Sequence, residues 1–201
     1  MNPTNLTRIL HAFRSRPVLI VGDVMLDRYV WGQVTRVSPE APVPIVAKQQ
    51  TSSSPGGAGN VAATVAGLGG QPLLVGLAGD SAEGRELHET LARCGVDPRD
   101  VLLAPNRRTT VKTRIIAHNQ QLLRIDEEDT APAVAGTADE LLARIDSRLP
   151  SAGSVILSDY GKGLLTPALL HKVISRARRA GVPVLVDPKG SDFTRYNGAS
   201  L

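Results

Sequence analysis

Between residues 154 and 186 the sequence spells a strand, a capped helix and a second strand, and no other stretch restricts the fold as tightly. Residues 154–157, a serine followed by Val, Ile and Leu, form a short strand. Thr166 then stands as an N-cap with Pro167 at the first helical position, where a missing N–H costs nothing. Leu169, Leu170, Val173, Ile174 and Ala177 recur at helical spacing, Gly181 ends the helix, and residues 184–186 are apolar again. Strand, helix and strand in that order predict a parallel crossover. One Trp, three Tyr and two Phe leave the core to Val, Leu, Ile and Ala, as in a parallel sheet covered by helices on both faces.

The remaining elements fit this α/β plan. Leu6, Ile9, Leu10 and Phe13 predict a short helix over residues 4–14, followed by a strand over 18–21 that ends at Gly22 and Asp23. Residues 29–48 alternate but carry Pro39, Pro42 and Pro44, which places them at a sheet edge or in a small separate flap of two or three strands. After a polar run over 49–54, a small-residue helix is expected from Asn60 until Gly69 and Gly70. A strand over 72–78, a helix over 81–93 capped by Ser81, paired strands over 109–117 and 121–126, and a helix over 137–148 complete the expectation.

Composition excludes several classes of function. The formal charge is +4, but the basic residues come singly or in pairs among acids, without the stripe or the aromatic platforms of a nucleic-acid binder. The single cysteine, Cys94, rules out an internal disulfide framework, and no Cys and His cluster has zinc-ligand spacing. No apolar run approaches the roughly 20 residues of a membrane helix, so neither membrane nor nucleic acid is expected as a partner, and a cytoplasmic location is.

In parallel sheets ligands bind beyond the carboxyl ends of the strands. Asp23, Asp159 and Asp187 each follow such an end. Any one of them reads most simply as a loop cap. The three together point to a polar site. Gly56, Gly57, Ala58, Gly59 and Asn60 let a ligand approach the backbone at a helix start, and Asn60 adds an amide that both donates and accepts, although a tight packing turn is the competing explanation. Asp159 is followed by Lys162 and Asp187 by Lys189, in loops rich in glycine where a lysine can neutralise phosphate or simply stand in water. Lys112 and Arg114, two residues apart, share one strand face and can hold an anionic group. Gly57, Gly59 and Ala62 also satisfy a relaxed dinucleotide fingerprint, with Asp80 as the ribose acid. The preceding Thr51, three serines and Pro55 do not read as the strand that fingerprint requires.

Assembled, these residues resemble the ribokinase-like carbohydrate kinases over nearly the whole chain. Gly22 to Asp27, the proline-bearing flap, the 56–60 glycine run and Leu77, Ala78, Gly79 and Asp80 occur in the family's order. Val37 to Pro44, Asn119 to Arg124, Leu157 to Tyr160 and Val186 to Gly190 are similar to the heptose 7-phosphate kinases. The resemblance implies ATP- and Mg²⁺-dependent phosphorylation of D-glycero-β-D-manno-heptose 7-phosphate at its C1 hydroxyl, on the route to ADP-heptose for lipopolysaccharide core. It implies Asp27 as a ligand of sugar hydroxyls, Gly56, Gly57 and Asn60 as the loop closing on the sugar, and Asp159 as an acid of the same pocket. Residues 29–48 become the lid, which in relatives packs on a second subunit to form a homodimer. Lys112 and Arg114 are assigned to the 7-phosphate on charge and placement, with Lys162, Asp187 and Lys189 as neighbours of phosphate or nucleotide. No Gly-Ala-Gly-Asp turn carrying the family's catalytic base occurs in the sequence. The base, the nucleotide residues and any metal ligands are therefore expected beyond Leu201, in a longer kinase of which this is the sugar-binding part. Two alternatives stand beside this reading: a sugar-phosphate binding module without transfer, and a nicotinamide-dependent oxidoreductase.

Overall fold

The computed structural model describes residues 16–201. The helix expected over 4–14 lies outside the described residues. The first sheet is parallel throughout and ordered β5-β4-β1-β8-β9, with β1 (Val18–Gly22) at its centre, flanked by β4 (Pro72–Gly79) and β8 (Ser154–Ser158). β5 (Val101–Ala104) and β9 (Val184–Asp187) are the outer strands. Beside β9, Leu201 N–H donates to the Val184 carbonyl (3.2 Å) and Val186 N–H to the Leu201 carbonyl (2.9 Å).

Because successive side chains of a strand point to opposite faces, β1 divides its own apolar residues between two cores. Leu19 and Val21 pack with Leu141, Ile145, Leu170 and Val173 of α3 (Ala135–Arg148) and α4 (Pro167–Arg179). Ile20 packs with Ala58, Ala62, Leu87 and Leu91 of α1 (Ala58–Gly67) and α2 (Ala82–Arg93). Helices thus cover both faces, as the aliphatic composition requires. The expected caps are in place: Thr166 Oγ1 accepts from Leu169 N–H, Ser81 Oγ accepts from Gly84 N–H, and Gly181 takes φ +69° where α4 ends.

The proline-bearing region departs from a small flap. β2 (Val24–Val37) and β3 (Pro44–Gly57) are antiparallel strands of 14 residues each, and β6 (Val111–Ala117) and β7 (Gln120–Glu127) complete a second sheet ordered β3-β2-β6-β7. β2 pairs parallel with β6, and β6 antiparallel with β7 through a two-residue turn at His118 and Asn119, both at positive φ. Residues 29–48 are therefore the outer halves of two long strands. The polar run 49–54 belongs to β3, whose glutamines and serines offer no apolar alternation to mark a strand. Pro55 is accommodated because β3 is an edge strand. β5 was also missed, being only four residues long.

Candidate functional site

The two sheets meet at Asp23, the single residue between β1 and β2, and at Gly57, the last of β3. These junctions are bonded to each other: Ala58 N–H donates to the Asp23 carbonyl at 2.9 Å. Gly57 is at φ +57°, and a Cβ there would collide with that same carbonyl, so both conformation and space demand glycine. The glycine run is thus a direct strand-to-helix junction rather than a loop. It delivers the first turn of α1, with Asn60 exposed on it, to the carboxyl edge of the parallel sheet. A strand does precede the apparent dinucleotide fingerprint, contrary to the sequence expectation. That strand is antiparallel and lies in the second sheet, so it is not the parallel strand of a dinucleotide-binding unit. Asp80, the supposed ribose acid, pairs with Arg85 on the surface.

The three acids at strand ends have separate fates. Asp23 is buried, 3% exposed, and its carboxylate collects three backbone amides of the β8–α4 loop: Tyr160 (2.8 Å) and Lys162 (3.0 Å) on Oδ2, Leu164 (3.3 Å) on Oδ1. Burial pushes its pKa above the ordinary carboxylate value, against the pull of the three amides. Asp159, also buried, accepts from Gly161 N–H on Oδ1 and from the Tyr196 hydroxyl on Oδ2 at 2.7 Å, with Arg195 at 3.4 Å. Both of its oxygens thus bond groups within the protein, which fix the carboxylate at the end of β8. Asp187 is exposed, and its carbonyl accepts from Asp159 N–H.

Asp27, on β2 beyond the junction, carries the open carboxylate. Arg114 Nη1 on β6 donates to its Oδ1 at 2.6 Å, and a Cβ on Gly56 would lie 2.5 Å from its Oδ2. Gly56 is therefore needed for space. Arg114 also lies over the Tyr29 ring, its Cζ 5.3 Å from the centroid. Lys112 shares the face, as the two-residue spacing predicted, and reaches Asp126 Oδ2 at 3.0 Å and Glu128 at 3.8 Å. Arg124 pairs with Asp126 at 2.7 Å, and Lys162 joins Glu128 at 2.5 Å. Asp126 is held well below its ordinary value, at about 2, by Arg124 and Lys112. The structure thus gathers Asp27, Gly56, Lys112, Arg114 and Lys162 around one charged face, where four cations meet three carboxylates. Lys189 lies near the Asp159 loop, where a Cβ on Gly161 would be 3.6 Å from its Cγ, and its amide donates to Tyr196 Oη. Surface clefts beside His171 and Arg178 and beside Pro105 and Val134 lie away from Asp27.

Arg124, Asp126 and Glu128 were not singled out in the sequence, although period-two spacing along 120–128 places them with Lys112 and Arg114. Tyr196 and the Arg28–Glu86 pair carried no sequence signal, since their partners are remote along the chain.

Residues 16–198 match the pfkB family carbohydrate kinases. The chain is 47% identical over 197 residues to the bifunctional protein HldE of Caulobacter vibrioides, covering 98% of this chain and 40% of that one. It is 48% identical over 192 residues to the bifunctional protein HldE of Salmonella dublin, covering 96% and 39%. The chain spans about 40% of the length of these curated relatives. Among solved structures, Arabidopsis thaliana ribokinase complexed with ribose and ATP superposes with a TM-score of 0.60 at 22% identity, over 88% of this chain and 55% of that one. The phosphofructokinase-2 of Escherichia coli in complex with fructose-6-phosphate gives 0.63 at 20% identity, over 88% and 56%. The fold is ribokinase-like, and the chain belongs to the pfkB family of carbohydrate kinases.

Proposed function

We propose that this chain is the sugar-binding part of a kinase that transfers the γ-phosphoryl group of ATP to the C1 hydroxyl of D-glycero-β-D-manno-heptose 7-phosphate, toward ADP-heptose. The observation that carries the reading is the Asp27 carboxylate, set between Gly56 and Arg114 at the junction of the two sheets. An ionised carboxylate accepts hydrogen bonds from sugar hydroxyls. The glycine keeps one of its oxygens accessible, and Asn60 in the first turn of α1 supplies a group that both donates and accepts. Lys112 and Arg114 hold the 7-phosphate, with Arg124 beside them. Lys162, Asp187 and Lys189, at the ends of β8 and β9, border the side where nucleotide phosphates approach.

The chemistry needs little covalent work from the protein, so orientation and exclusion of water are a large share of it. The second sheet is the lid that supplies the exclusion. Leu123 and Ile125, half exposed at alternate positions of β7, suit its packing on a second copy of the chain. ATP supplies the phosphoryl group and Mg²⁺ the charge to steady it. Among the described residues no group of three or more His, Cys, Asp or Glu is arranged to hold a metal, and the base and nucleotide residues are assigned to parts of the longer relatives outside the match. No helix among the described residues is long and apolar enough to cross a membrane, in keeping with a cytoplasmic enzyme acting on a soluble sugar.

A coupled ADP-release assay with heptose 7-phosphate, ATP and Mg²⁺, run on the product of the complete coding sequence, tests this. Turnover is expected, with Asp27→Ala reducing it at least a hundredfold, about what a misplaced substrate costs. Full turnover in that variant refutes the site. Sugar-phosphate binding without ADP release supports the non-catalytic alternative.

A further inference from the structure

The far side of the second sheet carries a contact that none of the chemistry above uses. Glu86, in the second turn of α2, receives Arg28 Nη2 on Oε2 at 2.5 Å and the Ser53 hydroxyl on Oε1 at 2.6 Å. Arg28 and Ser53 are register partners across the β2–β3 ladder, so one carboxylate grips both strands at the same level. The contact is half-buried, with 23% of the Arg28 and 34% of the Glu86 side chain exposed. Burial alone would raise the Glu86 pKa. The hydrogen bonds from Ser53 and Arg28 outweigh it and hold the group ionised below its ordinary value.

The position of this grip matters more than its strength. Arg28 directly follows Asp27, and Ser53 directly precedes Ser54, the residue opposite Asp27. Because neighbouring residues of a strand face opposite ways, Arg28 reaches back to α2 while Asp27 reaches forward to Arg114 and Gly56. α2 packs Leu87 and Leu91 into the core under the first sheet, so Glu86 stands on a rigid base. Nearer the junction the sheet is joined to that base by the chain crossings at Asp23 and Gly57 and by Val24, Leu26 and Val111, which are buried in the same core as Leu87 and Leu91, and at the opposite edge by Lys162 to Glu128.

We propose that Glu86 is a positioning residue for the sugar-phosphate site: by clasping Arg28 and Ser53 from the α2 side it sets where Asp27 and Gly56 stand relative to the start of α1. The proposal rests on the sugar-binding reading above. Loss of the clasp leaves the sheet anchored through Val24, Leu26 and Val111 but frees the β2–β3 edge from Asp27 outward to shift, and displacement of a binding group by about 1 Å is enough to cost much of its effect.

The test uses Glu86→Ala, Glu86→Gln and, as a control on the same helix, Glu89→Gln at an exposed position. Trp31, the single tryptophan, lies on β2 three residues past Arg28 with its indole N–H on Ser52 Oγ, and its emission reports the sheet without any ligand. Acrylamide quenching of Trp31 is expected to rise in Glu86→Gln and further in Glu86→Ala, and to stay unchanged in Glu89→Gln. Calorimetric titration with heptose 7-phosphate, well below the melting temperature, is expected to show about tenfold weaker binding for Glu86→Ala, with Glu86→Gln between it and wild type. A folded Glu86→Ala protein with wild-type affinity overturns the positioning role, even if its melting temperature falls. Unchanged quenching shows that the clasp does not hold the sheet and overturns it equally. Absence of binding by the wild type overturns the sugar-site reading instead, while the quenching comparison still reports on the clasp. Should Glu86→Ala fail to fold, Ser53→Ala removes one arm and leaves the ion pair, and the same two readouts apply.

Discussion

Replacing Asp23 by alanine removes the acceptor of three backbone amides at once. Leu164 N–H lies in the buried end of the β8–α4 loop, whereas Tyr160 and Lys162 lie nearer the surface. A buried donor without a partner costs about 1–3 kcal/mol, and donors that water can reach cost less. Allowing the full penalty for Leu164 and part of it for the other two, Asp23→Ala should destabilise the protein by about 3–5 kcal/mol, at the upper end for single substitutions. Asp23→Asn separates geometry from volume. Its one carbonyl oxygen, placed where Oδ2 now sits, keeps the Tyr160 and Lys162 bonds, while its NH₂ faces the Leu164 N–H, so the loss should be about 1–2 kcal/mol. Urea unfolding followed by circular dichroism gives both values, and hydrogen exchange should show the amides of 160, 162 and 164 losing protection before the core strands. An Asp23→Ala protein within about 0.5 kcal/mol of wild type, the range of an ordinary surface change, with those amides still protected, would refute the argument that this carboxylate shapes the loop.

Gly56→Ala should weaken binding of heptose 7-phosphate at least tenfold in calorimetry and also lower the melting temperature, because the added methyl crowds both the Asp27 carboxylate and the buried Met25 side chain. Tyr196→Phe removes a hydroxyl bonded to a buried carboxylate and should cost about 1.5–3 kcal/mol in denaturant unfolding. Leu170→Ala, in the core between α4 and the first sheet, should cost about 2–5 kcal/mol by the same measurement. Asp126 has a folded pKa of about 2, below its unfolded value of 3.8, so its contribution is complete above pH 4 and disappears as pH falls toward 2. The pair is partly exposed, so the effect is at most about 1 kcal/mol, and the stability gap between wild type and Asp126→Asn should close between pH 4 and pH 2.

How much of this was readable depended on whether the deciding interactions were local. The β8–α4–β9 unit was legible because Thr166, Pro167 and Gly181 act within a few residues of themselves, and its apolar stripe has one unambiguous period. The second sheet was only half legible. Prolines exposed the edge character of residues 39–44, but β3 passes through Gln49 to Ser54 with no apolar face to show the strand. The shared face of Lys112 and Arg114 followed from the two-residue period, while their acidic partners did not, since pairing of β6 with β2 and β7 is decided by tertiary register. Asp159 shows the limit most clearly: its place after a strand is legible, but its bond from the Tyr196 hydroxyl, 37 residues on, is not.

Asp27 is the carboxylate on which the proposed sugar-phosphate site depends. Calorimetric titration of this chain with D-glycero-β-D-manno-heptose 7-phosphate, beside Asp27→Asn, tests that most directly. One sugar phosphate should bind per chain, and Asp27→Asn should weaken the binding at least tenfold in a protein that still unfolds cooperatively in urea, at a midpoint lowered by the loosened Arg114 pair, whose side chains are only 21% and 17% exposed. Equal affinity in the two proteins, or no binding by either, would contradict it.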